Sequence, residues 1–120
     1  MKKWLRSARY ALSGIVLALR EERNMRIQCI AALMAVVLSI ILKVSLTELS
    51  IVLIASALVI CIESLNSAVE RLCDMVKPRI ALQLQAIKDL LSGAVLLASC
   101  AALGVGILMF VPKIVSLIVQ

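Results

Sequence analysis

The chain has 120 residues, 63% of them apolar, a net charge of +6 and a mean hydropathy of +1.11. A soluble domain of this length leaves too much of its surface wet to hide that much apolar area, so lipid is the expected solvent. The basic balance suggests nucleic acid only until the charges are placed, and their placement is that of a membrane protein.

Residues 2–24 read as an amphipathic surface helix. Trp4, Leu5, Ala8, Leu12, Ile15, Val16 and Leu19 recur at helical spacing, and Lys3, Arg6 and Arg9 take other faces. A basic amphipathic helix lies in the interface plane and is drawn to anionic lipid. The start lacks the apolar core and small-residue site of a cleaved signal peptide.

The first span covers about 27–42. It rises about 24 Å, short for the hydrocarbon core, and Arg26 and Lys43 can snorkel at its ends. Ser45 or Thr47 is placed to cap the next helix, with Glu48 in its first turn. The second span covers about 49–69, and Pro78 breaks the chain after it. The third, about 90–111, is the longest uncharged stretch, and Pro112 and Lys113 are expected to end its regular part. The whole reads as one all-α membrane domain, a surface helix plus three transmembrane helices.

Of the 13 Lys and Arg, seven precede the first span: Lys2, Lys3, Arg6, Arg9, Arg20, Arg23 and Arg26. Arg71, Lys77, Arg79 and Lys88 lie between the second and third spans, and only Lys43 and Lys113 remain for the other side. The positive-inside rule then puts the N-terminus and the 71–88 loop in the cytoplasm and the C-terminus outside. Aromatic anchors are few: Trp4 and Tyr10 at one end and Phe110 at the other. Cys29, Cys61, Cys73 and Cys100 match no metal or redox spacing and read as small apolar residues.

Three clusters carry the chemistry. Glu63, Asn66, Glu70 and Asp74 fall at i, i+3, i+7 and i+11, one stripe of a helix. An ionisable group inside an apolar helix costs on the order of 2.5–3.5 kcal/mol, which marks Glu63 as functional or as the partner of a neighbour's cation. The second cluster is Glu21, Glu22, Arg23, Asn24, Arg26 and Gln28, where the surface helix meets the first span. The third is Lys88-Asp89 before Ser92-Gly93. All three meet at the cytoplasmic interface. They bring carboxylates that can hold Mg²⁺, a lysine for phosphate and a carboxylate that can take a proton. That is equipment for phosphoryl transfer to a lipid hydroxyl, without a P-loop or a kinase-type glycine loop. Small residues on the spans and carboxylates needing partners point to a homo-oligomer.

The stretches Glu22-Arg23-Asn24-Met25-Arg26, Glu63-Ser64-Leu65-Asn66-Ser67-Ala68-Val69-Glu70 and Lys88-Asp89-Leu90-Leu91-Ser92-Gly93-Ala94-Val95 resemble the signatures of the prokaryotic diacylglycerol kinase family. The resemblance runs from about residue 11 to 113. The Glu-Arg-Asn-Met-Arg form and the ending Phe-Val-Pro-Lys-Ile look like the Gram-positive branch, whose members phosphorylate undecaprenol.

The resemblance implies a homotrimer in the bacterial cytoplasmic membrane, with active sites shared between subunits. It implies Glu63 as the base for the lipid hydroxyl and Asn66 as the residue that orients it. It implies Glu22 and Glu70 as ligands of the Mg²⁺ that accompanies ATP. Lys88 would meet phosphate oxygens, and Asp89, Tyr10 and Gly14 would lie on the nucleotide side. Two features depart from the branch: Gln28 stands where His is common, and 78–85 replaces a polar, His-containing loop.

The expected activity is transfer of the γ-phosphate of ATP to undecaprenol, with diacylglycerol as the alternative acceptor. A small proton-coupled transporter using Glu63 is the rival from another class. Transporter sites sit near the midplane, whereas this polar stripe runs out to the interface. A non-enzymatic assembly subunit would leave Glu63 and Asn66 without purpose. No nucleic-acid partner is expected.

Overall fold

The computed structural model describes residues 1–76 and 81–119, and all their regular structure is helical. Helix α1 is Lys2–Glu21, α2 is Arg23–Ile41, α3 is Leu46–Val76 and α4 is Ala81–Ile118. The break expected at Pro78, with Arg79 and Ile80 of the atypical loop, lies outside the described residues. Helices α2, α3 and α4 are each long and apolar enough to cross a membrane. Their most apolar windows are only 11%, 17% and 6% buried within the chain. That is no soluble core: the apolar faces need lipid or other helices as their solvent.

The expected spans fall on these three helices, but the helices outrun them. At 1.5 Å per residue, α3 is about 46 Å long and α4 about 57 Å, against about 30 Å of hydrocarbon. An apolar run ends where lipid ends. A helix ends only where its backbone finds other partners, so α3 carries the stripe from Glu63 to Asp74 as one continuous surface.

Two expectations are corrected. The first helix, expected over 2–24, stops at Glu21, because Glu22 adopts an extended conformation (φ −98°, ψ 115°) between α1 and α2. Pro112 does not end the last helix but sits inside α4. Proline removes one donor, yet apolar residues follow to Ile118, and without water their backbone groups find no better partners than each other.

Short side-chain bonds set the remaining ends. Ser45 and Glu48 form a reciprocal capping box at the start of α3: the Glu48 amide donates to Ser45 Oγ (3.2 Å), and the Ser45 amide donates to Glu48 Oε2 (2.7 Å). The same carboxylate pairs with Lys113 Nζ of α4 at 3.1 Å. At the opposite end Lys88 Nζ meets Asp74 Oδ1 at 3.0 Å. One ion pair at each end fixes α3 and α4 antiparallel. Within the spans Ser39, Ser50 and Ser64 donate to the carbonyl four residues back, which satisfies hydroxyls that lipid would strand.

Helix α2 closes with a Schellman motif. The Val44 amide donates to Ser39 O and the Lys43 amide to Ile40 O, both at 3.1 Å. Lys43 therefore has φ +48°, the left-handed region that favours glycine. Lys43→Gly is expected to stabilise the folded protein by about 0.5–1 kcal/mol, and Lys43→Val to destabilise it. Thermal unfolding in detergent should order the midpoints Gly above Lys above Val. A valine variant as stable as the parent would contradict this turn.

Candidate active site

The site is built on the C-terminal half of α3. Helical periodicity turns Glu63, Asn66, Ser67 and Cys73 into the protein, and all four are buried. Glu63 is only 2% exposed, a rare situation for a carboxyl group. Counted from Leu49, the expected start of the span, Glu63 lies about 21 Å along α3 and Glu70 about 31 Å, against about 30 Å of hydrocarbon. A span seated there would carry the stripe from within the hydrocarbon out to the interface.

Helix α2 supplies the next layer. Asn24, in its first turn, reaches the Glu63 carboxylate by a side-chain hydrogen bond. The carboxylates of Glu70 and Glu22 lie within electrostatic reach of the same group. Asn66 Oδ1 is buried without a hydrogen-bond partner. A stranded buried acceptor costs about 1–3 kcal/mol, so this oxygen is poised for a donor or cation brought by a ligand.

Glu22 owes its place to the extended joint between α1 and α2. Its carboxylate accepts from Arg71 Nη2 at 2.9 Å, and the neighbouring Glu21 meets the same nitrogen at 2.8 Å. From the other side Arg26 Nη1 donates to the carbonyls of Arg20 (2.8 Å) and Leu19 (3.3 Å), closing the C-terminal end of α1.

Helix α4 brings the cation. Lys88, on its second turn, bonds Asp74 at 3.0 Å and also senses the charge of Glu70. Asp89 accepts from Gln85 one turn earlier, at 2.9 Å. Gly14 lines a cavity of about 380 Å³ with Glu22, Ser64, Ser67 and Arg71, and a side chain added there would meet open space. Tyr10 is exposed on α1.

The structure therefore gathers Glu22, Glu63 and Glu70 around α3, with Asn66 beside them on the same stripe and Lys88 near Glu70. Gly14 shares a cavity with Glu22. Tyr10 and Asp89 are not drawn into this cluster. Gln28 lies apart from it, in an apolar cavity of about 480 Å³ among α2, α3 and α4, where it donates to Ser99 Oγ at 3.4 Å.

Sequence reasoning gave Asn24 no individual role and counted Arg71 only as a topological charge. Arg71 directly follows Glu70 and is the cation of α3 nearest the stripe, which is the one signal that pointed to it. The contact of Lys88 with Asp74 joins residues 14 apart on two different helices, and no local pattern announces it.

The donors here are hard oxygens: carboxylates, and the stranded amide oxygen of Asn66. The chain contains no histidine. Among the described residues no three His, Cys, Asp or Glu side chains close into a metal cage. Such a set fits a divalent cation of the Mg²⁺ type, which keeps waters and takes one or two carboxylates together with a substrate's phosphate oxygens. It does not fit a structural zinc site.

Similarity to known proteins covers most of the chain. The sequence profile described as prokaryotic diacylglycerol kinase matches residues 9–110. A diacylglycerol kinase of Synechocystis sp. is 34% identical over 114 residues, which cover 94% of this chain and 65% of that protein. An undecaprenol kinase of Bacillus subtilis is 26% identical over 114 residues, covering 95% of this chain and 93% of its own length. The chain thus spans just under two thirds of the first relative and nearly all of the second.

Proposed function

The chain belongs to the prokaryotic diacylglycerol kinase family, and on that footing we propose that it is a membrane lipid kinase that moves the γ-phosphoryl group of ATP to a lipid hydroxyl. The observation that carries the reading is the buried carboxylate of Glu63. It stands inside an apolar helix at the head of a polar stripe that leads to the interface. A lipid hydroxyl meets that carboxylate from the bilayer, and a nucleotide meets the stripe from water.

Glu63 accepts the hydroxyl proton as the lipid oxygen attacks the γ-phosphorus. The bond to the β–γ bridging oxygen breaks, and ADP leaves with the electron pair. Asn66, one turn along, orients the hydroxyl. Glu22 and Glu70 would hold Mg²⁺, which would supply charge neutralisation to the phosphates. Lys88 gives up Asp74 for phosphate oxygens, while Asp89, Tyr10 and Gly14 border the nucleotide. Positioning and electrostatics supply most of the rate.

Undecaprenol is the acceptor we favour, from the Glu-Arg-Asn-Met-Arg form at 22–26 and the Phe-Val-Pro-Lys-Ile ending at 110–114. The undecaprenol kinase relative is matched over 93% of its own length, against 65% for the diacylglycerol kinase, although the latter is the more identical in sequence. Diacylglycerol is the second acceptor, and the Synechocystis relative carries that name. The active form is a homotrimer whose subunits cover each other's exposed apolar faces and share sites. Helix α1 lies on the cytoplasmic surface, its basic residues against anionic headgroups, and the C-terminus is outside.

A competition assay decides the acceptor. Purified protein in mixed micelles receives equal undecaprenol and diacylglycerol with labelled ATP. Label should enter undecaprenyl phosphate several-fold faster. Equal or reversed incorporation would overturn the preference and leave the chemistry standing.

A further inference from the structure

We propose that Arg71 is a positioning residue that sets Glu22 opposite the α3 carboxylates and so determines how well the site takes up its divalent cation. The proposal rests on the lipid-kinase reading above and adds to it a residue which that reading does not use.

Helix α1 has no buried residue, so apolar packing does not lock its end onto α3. The chain between α1 and α2 turns on the single extended residue Glu22. Asn24, two residues on, bonds Glu63 of α3, and Glu22 itself is tied to α3 by Arg71, through one nitrogen, Nη2, shared by Glu21 Oε2 at 2.8 Å and Glu22 Oε1 at 2.9 Å. Arg26 completes the brace by holding the last carbonyls of α1.

The side chains of Arg71 and Glu21 are 41% and 53% exposed. Ion pairs this open add little to stability. They do fix geometry, and Glu22 is where geometry counts, because a small hard cation demands close and regular oxygen positions. Glu22 commits one oxygen to Arg71. A carboxylate has two, so holding Arg71 and sharing a cation at once is ordinary chemistry. Arg71 also offsets the repulsion between two adjacent carboxylates that would otherwise turn apart.

Because both contacts come from one nitrogen, a lysine ammonium can reproduce them, and bidentate geometry is not required. The test uses the full chain in lipid nanodiscs as wild type, Arg71→Lys and Arg71→Met. Spin labels at Ser13 on α1 and Leu65 on α3 report the distance across the joint, and the Mg²⁺ concentration for half-maximal lipid phosphorylation is measured in parallel.

In Arg71→Met the label distance should broaden, and the Mg²⁺ requirement should rise about tenfold with the lipid KM unchanged. Arg71→Lys should restore both to within about threefold. An unchanged distance distribution and Mg²⁺ requirement in Arg71→Met would overturn the proposal. A raised KM for ATP at an unchanged Mg²⁺ requirement would also overturn it, because it would make Arg71 a nucleotide ligand. If wild type itself transferred no phosphate, the lipid-kinase reading would fail, and the distance measurement would still report whether Arg71 holds the joint.

Discussion

Glu63→Gln should lower kcat on the lipid acceptor by about 10²–10⁴ while leaving ATP affinity within a few-fold of wild type. Glutamine keeps the shape of the side chain and its hydrogen bond with Asn24, but it cannot take a proton. Loss of one well-placed general base carries a cost of that size. The fold should survive. Glu63 is buried in an apolar stretch, and a neutral amide is less costly there than a carboxylate. Thermal unfolding of the variant should therefore match or exceed wild type, which separates lost chemistry from lost structure. A variant that turns over normally would end the base assignment. One that also loses ATP binding would move Glu63 to the cation.

Glu70→Gln should lower kcat by on the order of 10², with part of the loss recovered as Mg²⁺ is raised. Glu70 lies seven residues beyond Glu63 on the same face, in reach of both Glu63 and Lys88. It is thus the carboxylate best placed to stand between a cation and the phosphates it accompanies. An amide oxygen still coordinates, more weakly and without charge, so affinity for the cation falls before geometry does. Recovery with Mg²⁺ distinguishes this role from that of a second base, which added cation would not rescue. Wild-type Mg²⁺ dependence in Glu70→Gln would remove the residue from the metal assignment.

Much of the site was legible because the membrane makes polar residues conspicuous. Glu63 and Asn66 interrupt an apolar run at helical spacing, and that pattern has few innocent explanations in lipid. The start of α3 was readable in part: Ser45 and Thr47 were both placed to cap it with Glu48 in the first turn, and the reciprocal bonds of Ser45 and Glu48 choose between them. What escaped was set by contacts distant in sequence. The stretch around Glu22 contains neither proline nor glycine, so local propensity gave no reason for α1 to stop at Glu21. The clamp by Arg71 and Arg26 accompanies that break. Pro112 misled in the opposite direction, because its breaking power in water is muted where the flanking backbone has no water to turn to. The pairing of Lys88 with Asp74 depends on how α3 and α4 meet, which no pattern within either helix reveals.

The most direct measurement of the central claim follows two labels on ATP through a single turnover with purified protein and undecaprenol. Label on the γ-phosphate should pass into the lipid phase as undecaprenyl phosphate, and label on the α-phosphate should remain in water as ADP. Failure of the γ-label to enter lipid, by folded protein that binds ATP and Mg²⁺, would contradict the assignment of this chain as a lipid kinase.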